Sequence, residues 1–376
     1  MKLFDVYPLI DVTPVKAEGA RIWDEQGRDY LDLYGGHAVI SIGHSHPHFV
    51  HRVKNQLDKI AFYSNSVQIP IQTELAQKLG ALSGYPDFAL FLCNSGAEAN
   101  ENALKLASFA TGRRGFISFQ GAFHGRTSGA VALTDNPKII APFNRHDQVH
   151  ILPMGDLSAV ERLLQKNDIA GIIIEGVQGV NGIRIPEPKF LLALSALRKK
   201  YGFKLILDEV QSGYGRTGRF FAHQWVEGLH PDLISVAKGM GNGYPIGGLL
   251  IHPDIKASHG LLGTTFGGNH LACAAGLAVL EVIEEESLLQ AARDSGQFLM
   301  EQLGNMPGIK EIRGKGLMIG IDLEAEAAPV RAELISRFGI FTGSAAGKNT
   351  IRLLPPLNIQ RKELTLFLES IGKILA

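Results

Sequence analysis

Three short stretches of this chain carry residue types that could do chemistry. The first, LISVAKGMGNGYPIGG from Leu233 to Gly248, ends an apolar run in one lysine, Lys238, followed by glycines at 239, 241 and 243. A lysine desolvated at the end of a buried strand has a lowered pKa and can act as an amine nucleophile. Taken alone, such a lysine more often snorkels to the surface. The second stretch, LILDEVQSGYGRTGR, places Asp208 and Glu209 at the end of another apolar run, Asp208 lying 30 residues before Lys238. An acid pair there could hold magnesium beside a phosphate loop. The nearest candidate loop, GSAAGKNT at 343–350, has the wrong glycine spacing and Asn349 after its lysine. The third stretch, CNSGAEANENALKLA, has Ser95 followed by Glu98, a capping-box pattern, and Gly96 and Ala97 leave the first helical N–H groups unobstructed. A helix start directly after a strand is an anion site, although the same letters also describe an ordinary capped helix. The glycines after Lys238 are spaced G-x-G-x-G and lead into YPIGG, not into a helix, so they do not read as a dinucleotide loop. They are expected to let the backbone turn tightly so that Lys238 reaches its target.

These residues need elements to hold them. Apolar runs at 88–93, 115–119, 149–152, 170–175, 203–208, 233–237 and 246–251 read as strands, several of them covered on both faces. Helical patterns at 97–110, 156–166 and 188–200 separate many of them. The alternation predicts an α/β fold, a mostly parallel sheet between helices, with ligands at the carboxyl ends of its strands. Residues 20–33 read as a hairpin turning at Gln26-Gly27, and 270–304 as two long helices. Strands at 309–313, 317–323 and 350–354 and helices at 328–338 and from about 360 complete the chain. We expect a large domain over 46–287 and a smaller α/β domain assembled from 1–45 and 288–376.

Composition narrows the class. The chain has 376 residues, 45% hydrophobic and 20% charged, as in a globular protein. Its 37 basic and 37 acidic residues balance without a basic block, which argues against nucleic-acid binding. Only Cys93 and Cys273 are present, which fits a reducing compartment. The N-terminus places acids and a proline where a signal peptide would have an apolar core, and no apolar run is long enough to span a membrane. The expectation is a cytoplasmic enzyme. GHSHPHFVH holds His44, His46, His48 and His51, but Pro47 interrupts the run and no cysteine or acid cluster adjoins it. We therefore expect a loop leading into a helix and no metal.

One sheet edge would thus offer an anion-binding helix start, an acid and a lysine. Pyridoxal phosphate needs all three: the helix for its phosphate, a carboxylate for its ring nitrogen, a lysine for its aldehyde. At this point almost the whole chain resembles the class III aminotransferases of the type I pyridoxal-phosphate fold, nearest to the acetylornithine aminotransferase group. NSGAEANENALKLA, GAFHGRTSGA, LILDEVQSGYGRTGRF, SVAKGMGNGYPIGG, GTTFGGNHLACAAG and IRLLPPL occur in that order. The resemblance implies a seven-stranded, mostly parallel sheet in the large domain. It makes Lys238 the Schiff-base lysine and proton shuttle, Asp208 the partner of the pyridinium and Gln211 that of the ring hydroxyl. Phe123 and Val210 would flank the ring. Ser95, Gly96 and Ala97 would bind the phosphate, and Glu209 is counted with the cofactor-binding stretch. Thr265 would reach the same phosphate from a partner subunit, implying a homodimer with shared sites, and Thr264 would lie near the substrate. Arg126 and Arg352 would each grip a substrate carboxylate. The reaction so implied moves the terminal amine of an N-acylated ornithine to 2-oxoglutarate, giving glutamate, in arginine biosynthesis.

The chain departs from the family in places. Where VQGEGG is usual it reads VQGVNG, so Val180 replaces a glutamate that in these enzymes can pair with the arginine matching Arg352. We expect a more permanently cationic pocket, suited to an acyl group with its own carboxylate, as in N-succinylornithine. Glu175-Gly176 replaces Glu-Pro, and His270 stands where proline is common. Rival readings are omega-aminotransferases for ornithine, 4-aminobutyrate or acyl-diaminopimelate, and an aminomutase. The tyrosine of ornithine δ-aminotransferases falls at Gly36 here, and GGHAV and FHGRT look more like the acetylornithine group. A non-catalytic pyridoxal-binding regulator would carry a DNA-binding domain, for which there is no spare length.

Overall fold

The computed structural model describes residues 1–166 and 168–376. Three strands open the chain: β1 (Pro14–Glu18), β2 (Arg21–Asp24) and β3 (Asp29–Asp32). The central strands are β4 (Ala89–Cys93), β5 (Gly115–Phe119), β6 (Val149–Leu152), β7 (Ile169–Glu175), β8 (Lys204–Asp208), β9 (Leu233–Val236) and β10 (Gly247–Ile251). Each matches an apolar run read above to within a residue. They form one seven-stranded sheet in the order β4-β10-β9-β8-β7-β5-β6. Only β10 runs antiparallel, against β4 and β9; the other pairs are parallel. All seven residues of β7 are buried, which is why the run is continuously apolar and does not alternate.

Helices Gly96–Thr111, Leu157–Lys166 and Pro188–Tyr201 cover this sheet, within a residue or two of their predicted bounds. Helix Gly96–Thr111 lays Ala103, Leu104, Leu106 and Ala107 on Ile173, Ile206, Leu233 and Leu249 of one sheet face. Phe190, Leu191 and Leu194 lie on the other face with Ile172, Ile174 and Leu205. Burial of roughly 1.5–3 kcal/mol per such side chain holds the layers together.

The remaining strands, β11 (Ile309–Lys315), β12 (Met318–Leu323), β13 (Ile340–Phe341), β14 (Gly343–Ser344) and β15 (Thr350–Leu353), form two small sheets with the N-terminal ones. Their orders are β1-β2-β3-β13 and β11-β12-β15-β14. β13 pairs parallel with β3, Ile340 opposite Leu31, so the two ends of the chain meet in one sheet. The short β1, β13 and β14, and helix Pro70–Ser83, were not anticipated. Two-residue strands carry no period, and that helix has a weakly amphipathic sequence. No helix among the described residues is long and apolar enough to cross a membrane.

The four histidines of GHSHPHFVH are spread over the start of helix Pro47–Leu57 and the loop before it. His44 bonds Asp32 at 2.8 Å, His46 bonds Glu286 at 2.9 Å and His48 bonds Glu281 at 2.5 Å. These three thus serve different ties between chain segments, while His51 bonds Asn55 within the helix at 2.8 Å.

Candidate functional site

The carboxyl ends of β4, β7, β8 and β9 open into a cavity of about 400 Å³. Ser95, Gly96, Ala97, Phe123, Arg126, Asp208, Val210, Gln211 and Lys238 all line it, with Glu175, His124 and Val180. Five separate stretches of sequence are thereby brought to one edge, as parallel-sheet topology requires.

Ser95 is extended (φ −153°) and its hydroxyl accepts from Glu98 N at 3.2 Å, capping helix Gly96–Thr111 as read from sequence. The reciprocal half of the box differs. Glu98 reaches back to Asn94 N, one residue before the cap. The Gly96 and Ala97 N–H groups at the helix start have no intrahelical acceptor, and the helix dipole adds positive potential there. A Cβ on Gly96 would lie 2.6 Å from Val210 Cγ1, so glycine is required for this close approach.

Asp208 ends β8 and is saturated from behind. Its Oδ2 accepts from His124 Nδ1 and from Asn100 Nδ2, each at 2.8 Å, and its Oδ1 accepts from Val210 N at 3.0 Å. Asn100 in turn accepts from the Ser235 hydroxyl at 2.5 Å and donates to His124 O at 2.7 Å. The carboxylate is therefore fixed in place, while His124 Nε2 is buried without a partner. His124 and Asn100 received no role from the sequence. Both lie inside quoted motifs, yet only the fold shows that they converge on one carboxylate.

Glu209 points away from the cavity, contrary to its expected place beside the cofactor. It is 1% exposed and accepts from His223 Nδ1 at 2.7 Å, His223 N at 2.9 Å, Ala222 N at 3.0 Å and the Ser212 hydroxyl at 2.6 Å. Adjacent residues leaving a strand point to opposite sides, and Asp208 takes the cavity side.

Lys238 follows β9 by two residues and lines the cavity. Burial lowers its pKa, against the raising effect of the Asp208 and Glu175 charges; Arg352 lowers it further. Glu175 is pushed up to about 7, chiefly by burial, with the Asp208 charge adding to the shift. The glycines after Lys238 do not act alike. Lys238 and Asn242 themselves adopt left-handed backbone (φ +46° each), as does Gly243 (φ +102°). A Cβ on Gly241 would lie 2.1 Å from Tyr244 O, whereas one on Gly239 would make ordinary contacts. The tight turn is real, and the lysine takes part of its strain.

Gln211 donates to His37 O at 3.1 Å and keeps a buried Oε1 without a partner. Thr264 lies outside the cavity wall, its hydroxyl accepting from Asn94 Nδ2 at 3.3 Å and Gly267 N at 3.2 Å. Thr265 is exposed and outside the cavity of its own chain. Arg126 is exposed at the cavity wall. Arg352, on β15, is 4% exposed and does not reach the wall; its Nε donates to Ser344 O and its Nη1 is buried without a partner. Val180 lines the cavity, and its carbonyl accepts from Ala346 N at 2.9 Å.

The turn from Gly35 to Ala38 holds four successive residues in left-handed backbone, φ +54°, +54°, +70° and +65°. For His37 and Ala38 that costs roughly 1–2 kcal/mol each. Such strain persists only where surrounding contacts over-determine it. Here Ala38 is packed with Val177, Ile183 and Leu354, and Tyr34 lies against the same cluster.

Pyridoxal phosphate fits this site on its chemistry. The helix start suits a phosphate, the anchored Asp208 suits a protonated ring nitrogen, the unpartnered Gln211 Oε1 suits a hydroxyl, and Phe123 and Val210 supply apolar walls.

Comparison with known proteins agrees. The family described as "Aminotransferase class-III" matches residues 5–375. The acetylornithine aminotransferase of Bacillus subtilis (strain 168) is 42% identical over 99% of this chain and 96% of its own. That of Archaeoglobus fulgidus is 41% identical over 96% and 95%. Among solved structures, the ornithine aminotransferase from Toxoplasma gondii, described with partial occupancy of PLP at its active site, superposes with a TM-score of 0.90. It is 27% identical and covers 98% of this chain and 90% of that one. The acetylornithine aminotransferase from Elizabethkingia anophelis gives 0.83 at 29% identity, over 98% and 94%.

Proposed function

The chain belongs to the class-III aminotransferases, and from that premise we propose that it moves the terminal amine of an N-acylated ornithine to 2-oxoglutarate, releasing the semialdehyde and glutamate. It is a transaminase of fold type I that uses pyridoxal phosphate. The observation that carries the substrate reading is the identity of 41–42% to acetylornithine aminotransferases over nearly the whole chain. Two arginines, one in the cavity wall and one behind it, suit substrates with carboxylates.

Pyridoxal phosphate, when bound, supplies an aldehyde that exchanges amines and a ring that takes up the electron pair left at the reacting carbon. We assign the phosphate to Ser95, Gly96 and Ala97, the ring nitrogen to Asp208, the ring hydroxyl to Gln211 and the ring faces to Phe123 and Val210. Asp208, held in place by His124, Asn100 and Val210 N, would pair with that nitrogen and keep a proton on it. Lys238 acts at Nζ. Burial lowers its pKa, which favours the neutral amine that would take the proton from the donor's amine-bearing carbon and return one to the carbon of the keto acid. Arg126 and Arg352 orient carboxylates by paired N–H bonds. Thr265, exposed and outside its own cavity, is assigned to the partner's phosphate in a homodimer, with Thr264 near the substrate.

In the same reading residues 46–287 form the cofactor-binding body, and 1–45 with 288–376 a smaller unit. The parallel pairing of β3 with β13, which joins the two ends, supports that division. Val180 keeps N-succinylornithine beside N-acetylornithine as donor, with a place in arginine biosynthesis.

The test is glutamate formation from 2-oxoglutarate with N-acetylornithine, N-succinylornithine, ornithine and 4-aminobutyrate. An acylated ornithine should exceed the two free amines in kcat/KM by at least about tenfold. Preference for ornithine or 4-aminobutyrate would refute the assignment. N-acetylornithine far ahead of N-succinylornithine would remove the role given to Val180.

A further inference from the structure

The reaction sets Arg352 a problem that its surroundings address in an unusual way. Glutamate carries a carboxylate on its reacting carbon. The terminal amine of an acylated ornithine carries a methylene chain and hydrogens there. A bare guanidinium suits the first and penalises the second, because an apolar chain beside a buried charge offers it no hydrogen bond.

No carboxylate among the described residues forms a salt bridge with Arg352, and its Nη1 is buried without a partner. Residue 180, in the cavity wall, is valine and offers no charge. Glu175 is engaged by Phe123 N at 3.0 Å and Gly179 N at 3.1 Å. Asp32 is engaged by His44 at 2.8 Å and by the N–H groups of Tyr34 and Gly35.

What does cover Arg352 is aromatic. Its guanidinium carbon stands 6.0 Å from the centre of the Tyr34 ring, at the edge of cation–π range. The Tyr34 ring packs against His37 with centroids 4.7 Å apart, and its hydroxyl bonds His37 Nδ1. His37 is in turn anchored through its carbonyl to Gln211, in the cavity wall. The cavity wall is formed by Val39 and Val180 on this side and does not include Arg352. The arginine is thus screened from the cavity. Partial burial and the nearby Arg352 and Lys238 charges lower the His37 pKa.

We propose that Tyr34, latched by His37, is the specificity-determining residue that lets one active site accept both substrates: its ring screens Arg352 while the amine donor is bound and moves aside when a carboxylate claims the guanidinium. Tyr34 and His37 are positioning residues and take no part in proton transfer. The inference rests on the proposed acylornithine–2-oxoglutarate reaction.

The holoenzyme tests it with the half-reactions measured separately, each followed by the change in cofactor absorbance, for wild type, Tyr34→Leu, Tyr34→Phe and His37→Leu. Tyr34→Leu should lose about tenfold in kcat/KM with the acylornithine while the glutamate half-reaction stays within about twofold. Tyr34→Phe, which keeps the ring but loses the bond to His37, should show the same one-sided loss, smaller than that of Tyr34→Leu. Glutarate, a dicarboxylate without an amine, should inhibit Tyr34→Leu more strongly than wild type because the guanidinium is uncovered. Equal losses in both half-reactions, or no loss in either, would overturn the proposal. If Tyr34→Leu does not fold, His37→Leu decides, since loss of the latch must produce the same one-sided effect. A wild-type enzyme inert toward every acylated ornithine would instead bring down the reaction on which the inference rests.

Discussion

The two sides of the cavity are built on opposite principles. On the large-sheet side, Asp208 accepts three hydrogen bonds and stands on a strand whose residues are nearly all buried. On the side contributed by the chain ends, Tyr34, His37 and Arg352 surround a buried nitrogen with no partner, beside a turn held in left-handed backbone. Saturated networks are stiff, since every donor displaced leaves an unmet group. A strained turn with an unmet donor has somewhere to go. The first side suits chemistry common to both half-reactions, and the second suits telling their substrates apart.

Lys238→Ala should break that contrast most severely. Loss of the amine assigned to proton transfer should lower both half-reactions together by roughly a thousandfold or more. A one-sided effect from Lys238→Ala, measured as glutamate formed or consumed, would erase the distinction between the two sides.

Glu209 gives the next effect, and it falls on stability. Glu209→Ala leaves the Ser212 hydroxyl, two backbone N–H groups and the His223 ring without their acceptor. Removing one member of such a buried charged network costs about 3 kcal/mol or more. The urea midpoint should fall accordingly, while the folded fraction binds pyridoxal phosphate as wild type does. A variant of normal stability and weakened cofactor binding would return Glu209 to the cavity.

The same contrast explains what the sequence showed. Strands β5 and β7 to β10 were legible because burial on both faces writes itself as largely apolar runs; β4 and β6, only partly buried, were legible from their short apolar stretches. Lys238, Asp208 and Ser95 were legible because each ends such a run or starts a capped helix. Glu209 was misplaced because one residue of register decides which way a strand-end acid points, and no letter records register there. The partnership of Tyr34, His37 and Arg352 left no trace. It joins positions more than 300 residues apart through β13 and β15, and a left-handed turn containing histidine and alanine has no compositional signature. GGHAV drew attention only for its likeness to a family stretch.

Glu175 lies between the two sides and gives the smallest effect. Burial raises its folded-state pKa to about 7, above the roughly 4.3 of an unfolded glutamate. Between those values the folded chain holds a proton that the unfolded chain has released. The associated stability is complete below about pH 4, declines as pH rises to about 7, and is gone above that. Glu175→Gln, which cannot titrate, should flatten this decline, seen as a smaller drop in Tm from pH 5 to pH 8 in cofactor-free protein. An unchanged slope would mean that Glu175 is already ionised and supplies Arg352 with a counter-charge across the cavity. A flattened one means that at mildly acidic pH Arg352 has no carboxylate to answer it, and the Tyr34 ring is what stands in its place.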